Sequence, residues 1–233
     1  MRKTRNFLCR AGSAALALTL TVSLCQPAFA ATKAPFSKDE TVYAVMAADG
    51  SVTKTTVSEH LYNADGLAGV GDRSTLKNIV NTESFAEYTR NGDTLVWNTD
   101  DTDVYYKGDT DRQLPISAKV TYTLDGKTVT AEELAGKSGH VTMRFDYTNT
   151  QYETRAIGGK QEKIYVPFAV LTGALLDSDH FTNVSVTNGK LVDDGDHTVV
   201  VGIAFPGLQE TLALDTDTLE IPTHVEVEAD VTG

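Results

Sequence analysis

A chain of 233 residues, 41% of them hydrophobic, is long enough for one large domain or two small ones and for a core that needs no outside support. It carries 32 Asp and Glu against 20 Lys and Arg, a net −12, which disfavours nucleic acid and anionic membrane surfaces, since phosphate binding needs clustered cations. Both cysteines, Cys9 and Cys25, lie near the N-terminus, so beyond them disulfides, thiol chemistry and Cys–zinc sites are excluded.

Residues 1–30 read as a secretory signal peptide. Arg2, Lys3, Arg5 and Arg10 form a basic start, Ala11 to Leu24 is an uncharged apolar run, and Ala28-Phe29-Ala30 is a cleavage site recognised through Ala28 and Ala30. An uncleaved anchor is the alternative, but the run is short of the about 20 residues a spanning helix needs. Leu24 before Cys25 is unlike the small residues that precede a lipidated cysteine. Cleavage removes four basic residues and no acids, so the exported chain would carry 16 Lys and Arg against 32 acids, a net −16. That points to a secreted or cell-surface location, with no membrane span in the mature chain.

Residues 31–38 read as a flexible leader. Thr41–Met46 and Ser51–Leu61 are expected strands around Asp49-Gly50, and Asn63–Asp72 is a glycine-containing loop without the Lys-Ser/Thr ending of a phosphate cradle. Phe85–Thr89 and Asp93–Trp97 form a hairpin across Asn91-Gly92, and Val104–Lys107 is a short aromatic strand.

The strongest pattern runs from Ile116 to Asn149. Ile116, Ala118, Val120, Tyr122 and Leu124 alternate with polar residues, which predicts a strand with one buried face. Asp125-Gly126 supplies a tight turn. Thr130 with Glu133 is a capping box, so a short helix is expected over 131–135, stopped by Gly136. Val141, Met143, Phe145 and Tyr147 then alternate with Thr142, Arg144, Asp146 and Thr148 in a returning strand.

Gln151–Gly159 is a candidate seam between β unit one, 39–150, and β unit two, 160–233, unless the two form one continuous domain. Ile164–Leu171 and Val199–Phe205 are continuous apolar runs, expected as strands covered on both faces. Phe181–Thr187 and Lys190–Val192 flank Asn188-Gly189 as a hairpin, and Val225, Val227, Ala229 and Val231 make a last alternating strand. Many short strands with frequent turns define an all-β, mainly antiparallel, sandwich-like fold of one or two packed units.

No pattern names a reaction. His60, His140, His180, His197 and His224 show no zinc-ligand spacing. Acidic clusters occur at Asp100, Asp101 and Asp103, at Asp109 and Asp111, at Asp193, Asp194 and Asp196, and at Asp215 and Asp217. Calcium is the one cofactor they could serve, with Asp100, Asp101, Asp103, Asp193, Asp194 and Asp196 as candidate ligands; solvated turn aspartates are the competing reading. A glycan could stack on Trp97, Tyr105 or Tyr106, although strand aromatics more often pack inside. A hydrolase needs a facing carboxylate pair in a pocket, and no nucleophile elbow is present. No catalytic or cofactor-binding residue is assigned.

The blocks Leu124-Asp125-Gly126-Lys127, Ala131 to Gly139 and Phe145-Asp146-Tyr147-Thr148-Asn149 resemble a recurring unit in exported proteins of Gram-positive gut bacteria. Val199 to Leu208 resembles a second unit of the same proteins, as does Ile221-Pro222 with the strand after it. The resemblance implies an N-terminal β region that continues into Leu-x-x-Gly heptads and a membrane helix. Those segments are missing from this sequence, so either it is the front of a longer anchored polypeptide or the domain finishes on its last strand. The expected role is an extracellular structural or protein-interaction module without catalysis, its partner a protein or cell-envelope component. A glycan- or calcium-binding module is the alternative, and a cell-wall hydrolase a third.

Overall fold

The computed structural model describes residues 37–233; the signal segment with Ala28 and Ala30, and most of the leader, lie outside them. In chain order the strands are β1 (Ser37–Met46), β2 (Val52–Tyr62), β3 (Val70–Arg73), β4 (Lys77–Asn81), β5 (Tyr88–Asn91), β6 (Thr94–Trp97), β7 (Asp103–Asp109), β8 (Ile116–Leu124) and β9 (Lys127–Val129). After helix α1 (Ala131–Leu134) come β10 (Gly139–Asn149), β11 (Tyr152–Ile157), β12 (Lys160–Tyr165), β13 (Val170–Asp177), β14 (Phe181–Thr187), β15 (Gly189–Asp193) and β16 (His197–Ala204). Helix α2 (Leu208–Thr211) and strand β17 (His224–Val231) complete the chain. All strand pairs are antiparallel, as expected of an all-β chain.

Two hydrophobic cores form. In the first, the sheet β1-β2-β7-β4 and the sheet β3-β6-β5 bury Val57, Leu61, Val70, Leu95, Trp97, Val104 and Tyr106. In the second, the sheet β14-β17-β10-β8-β9 supplies Val120, Tyr122, Phe145 and Val227 against Val170, Leu176 and Val200 of the sheet β13-β16-β15. A buried hydrogen bond of 2.6 Å between the hydroxyls of Tyr147 and Thr172 joins these two sheets.

The stretch 116–149 behaves as its alternation requires. Strand β10 pairs with β8 along one side and β17 along the other, with Val141, Met143, Phe145 and Tyr147 turned inward. The capping box is present, with Thr130 Oγ1 accepting from Glu133 N–H and Glu133 Oε2 accepting from Thr130 N–H. The β1–β2 turn meets this unit: Val120 N–H donates to Asp49 C=O at 2.8 Å and Tyr122 Oη–H to Ala48 C=O at 2.8 Å. Gly50 allows that approach, because a Cβ there would lie 2.5 Å from Ala118 C=O.

Several expectations are corrected. The break between the cores falls between Asp109 and Ile116 rather than at 151–159, because β17, from the end of the chain, completes the sheet of β8 and β10. Gly158-Gly159 is the turn of the hairpin β11–β12. Ser37 and Lys38 belong to β1, not to the leader, and the loop after Asn63 ends in β3. Strand β4, with no alternation to announce it, was not expected. Ile164–Leu171 is not one strand, since Pro167 has no N–H to give a ladder and stands between β12 and β13.

Phe181–Thr187 and Lys190–Val192 do not pair with each other. Strand β14 pairs with β17 and β15 with β16, so the chain changes sheets at Asn188, which takes φ 60° and whose amide donates to His224 C=O at 3.0 Å. The turn signal was correctly placed, but it served a corner between sheets.

Close packing of β16 on β17 passes through Gly202, whose added Cβ would lie 2.4 Å from Val225 Cγ1. Gly202→Ala is therefore expected to destabilise by about 2 kcal/mol through overpacking. Thermal melts should show a Tm lowered by roughly 5 °C; an unchanged Tm would mean the sheets separate freely there.

Candidate functional site

Two places in the fold stand out, one apolar and one ionic. The first is the outer side of the three-stranded sheet. In β13 the even residues Val170, Thr172, Ala174 and Leu176 are buried, while Leu171 and Leu175 are 60% and 58% exposed. In β16 Val201 and Ile203 are exposed, and in β15 Val192. The register places Leu171 opposite Ile203, and Val199 between Leu175 and Val192, so these side chains form one patch. The expectation that both apolar runs are covered on both faces is corrected, because only the inner face has a sheet against it. Contiguous exposed apolar side chains of this kind tend to mark a functional surface.

Strand β13 is also an edge. Ile203 N–H donates toward Asn188 on the β15 side, so the even residues of β16 turn their backbone groups toward β13. In antiparallel register, Val170, Thr172, Ala174 and Leu176 then bond β16, and Leu171, Gly173 and Leu175 point their N–H and C=O outward. Among the described residues nothing accepts or donates there. Other edges are blunted: β1 carries Lys38, Asp39 and Glu40 and a register break, β4 and β14 carry register breaks, and β3, β5, β9 and β15 are short. Strand β13 has eight residues, an unbroken register and no charge before Asp177.

The second place is the open side of the first core. A cleft of about 430 Å³ lies beneath β1, with Val42, Ala44, Val57, Leu76 and Pro115 among its walls. Glu59 of β2 is directly across from Glu40 of β1, and its side chain is only 3% exposed. Lys38 Nζ lies 3.0 Å from Glu59 Oε1 and 3.2 Å from Asp72 Oδ2. Tyr106 Oη–H donates to Asp72 Oδ2 from the floor of the core. Glu59 Oε2 is buried with no partner.

Burial pushes the Glu59 carboxyl up to about 7; Lys38 offsets part of that, and the negative charges of Glu40 and Asp72 add to it. Burial pulls the Lys38 ammonium down, but Glu59 and Asp72 together outweigh it and hold its pKa raised. Burial, then the bond to Asp72, raises the Tyr106 phenol. Cross-strand register brought this group together; counting acids could not.

The sequence candidates are dispersed by comparison. Asp101 Oδ2 accepts from Thr99 Oγ1, and Asp103 is bonded by His60 and Thr102, which hold its carboxyl below the usual range. Asp193 accepts from Gly195 N–H and Asp194 from His197 N–H within the β15–β16 turn; Asp100 and Asp196 are exposed beside them. Among the described residues no three His, Cys, Asp or Glu side chains gather as a metal site would require. Trp97 and Tyr106 are wholly buried, so of the three aromatics only Tyr105 reaches the surface, stacked on His60 at 3.9 Å between centroids. No helix of the described residues is long and apolar enough to cross a membrane.

Comparison of the chain with family models, curated proteins and solved structures found no match.

Removing Lys38 leaves Glu59 as an uncompensated buried carboxylate facing Glu40 and Asp72. Compared with wild type whose Lys38 is a free ammonium, Lys38→Met is expected to cost about 3 kcal/mol at pH 8. The sign follows from linkage: a carboxyl whose folded pKa lies above its unfolded value stabilises fully at low pH and loses that contribution as pH rises through the folded pKa. Melts of Lys38→Met from pH 5 to 9 should therefore show a deficit that widens above pH 7, whereas a deficit independent of pH would mean Glu59 is not the destabilised group.

Proposed function

We propose that this chain is an extracellular or cell-surface protein-interaction module, and that its docking element is the bare edge β13 with the apolar face beside it. The carrying observation is the combination in β13 of outward backbone groups, an unbroken register and the absence of charge. An extended segment of a partner protein added there would bond Leu171, Gly173 and Leu175 through the main chain and set alternate apolar side chains beside Leu171 and Leu175. Strand β13 is uncharged before Asp177, although Lys190 lies on the same outer face across from Val201, so recognition at the edge itself rests on apolar surface and backbone pairing. The signal-like first thirty residues, and the resemblance to the N-terminal β region of exported Gram-positive proteins, support the location outside the cell. Catalysis is not needed for this role. Glu40 and Glu59 face each other, but Glu59 is engaged by Lys38 and its free oxygen is closed from solvent.

Gly173→Pro deletes one outward N–H and leaves the bonds to β16, and Leu171→Lys charges the patch without touching the core. A photo-crosslinker at Leu175 in the native organism should join the protein to an apolar, extended segment of one envelope protein. Gly173→Pro and Leu171→Lys should each lower that yield at least tenfold, with Tm changed by no more than a few degrees. Crosslinking to a second copy would make the module self-associating, and a product insensitive to Gly173→Pro would reject strand addition.

A further inference from the structure

We propose that Lys38 and Asp72 form an intramolecular amide cross-link, with Glu59 as the proton-transferring residue, stapling β1 of one sheet to β3 of the sheet packed on it. Lys38 already touches both of the other groups. Lys38 Nζ stands 3.2 and 3.4 Å from the two oxygens of Asp72, so the nucleophilic nitrogen sits beside the carboxyl carbon it would attack. Glu59 Oε1 lies 3.0 Å from the same nitrogen. The two carboxyls are shielded from water, with side-chain exposure of 10% at Asp72 and 3% at Glu59, while Lys38 reaches them from the rim at 31%. Exclusion of water favours amide formation, whose other product is water.

The step balances without an added reagent. Glu59 takes a proton from the Lys38 ammonium, and the freed amine attacks Asp72 Cγ. One Cγ–O bond breaks as Nζ–Cγ forms. Of the three ammonium hydrogens one stays on the amide nitrogen, and two leave with the departing oxygen as water. Glu59 returns its proton to that oxygen and ends unchanged. Tyr106, bonded to Asp72 Oδ2, withdraws charge from the carboxyl and so makes its carbon a better electrophile.

A carboxyl titrating near neutral pH is suited to accept and return a proton in one cycle. The partnerless Glu59 Oε2 has an account in the same chemistry. A carboxyl kept only for stability would be expected to have both oxygens bonded, whereas one that receives a proton from Lys38 needs a free position to hold or pass it. Lys38 and Asp72 are 34 positions apart, so the bond closes a long loop. It would give a cysteine-free exported domain the constraint that disulfides give others.

The test is intact-mass spectrometry of the chain secreted by its native organism. The wild type should be lighter than its processed sequence by one water, about 18 Da. Proteolysis should yield a branched peptide joining the segments that contain Lys38 and Asp72. Lys38→Arg and Asp72→Ala should restore the full mass and, with the fold intact by circular dichroism, lower Tm by about 10 °C or more. Glu59→Gln should leave most of the chain at full mass even after long incubation. Folded wild type at full mass, without the branched peptide, overturns the proposal. A Glu59→Gln variant that cross-links at the wild-type rate removes Glu59 from it.

Discussion

Strand β10 is the constraint on which the second half of the molecule depends. It is hydrogen-bonded on both edges, to β8 and to β17, and every inward side chain from Val141 to Tyr147 is buried. Because a strand turns successive side chains to opposite faces, this double pairing fixes which side of β8 and β17 faces the core. The sheet β13-β16-β15 can then pack only on that side, where Gly202 lets β16 approach Val225 and Thr172 meets Tyr147.

The same alternation leaves β13 and β16 with an outer face that nothing among the described residues covers. Their sequences are apolar at both odd and even positions, yet only one set is buried. Natural sheets suppress such edges with charge, bulges or brevity, and the remaining long edges of this protein do so. Strand β13 is exempt from that rule: it is long, uncharged before Asp177 and in unbroken register.

The first core solves a different problem. Its two sheets are of unequal width, and under β1 they leave a cleft lined by Lys38 and Glu59, from which Lys38 also reaches Asp72. A buried ion group of this kind adds little net stability, since desolvation of the charges offsets their attraction. Chemistry between the groups is a better account of their placement.

Much of the fold was legible because local physics acts within a few residues. Alternation from Ile116 to Leu124 and from Val141 to Tyr147 gave β8 and β10, Thr130 with Glu133 gave the capped helix, and Asn91-Gly92 gave the hairpin β5–β6. The turn at Asn188-Gly189 was legible as a turn, but whether the strands beside it pair is decided by distant β16 and β17. The apolar runs implied burial on both faces because composition cannot say which neighbours exist. Of the candidate site, the sequence displayed Lys38, Glu59 and Asp72 only as three charges among many. What joined them was the antiparallel register of β1 on β2, which sets Glu40 against Glu59, and the packing of β3 beneath, which delivers Asp72. Sequence by itself thus determined the alternating strands and the turns, whose causes are local; tertiary structure alone decided β4, sheet membership, the open face and the ionic triad, because those depend on pairings between segments far apart in the chain.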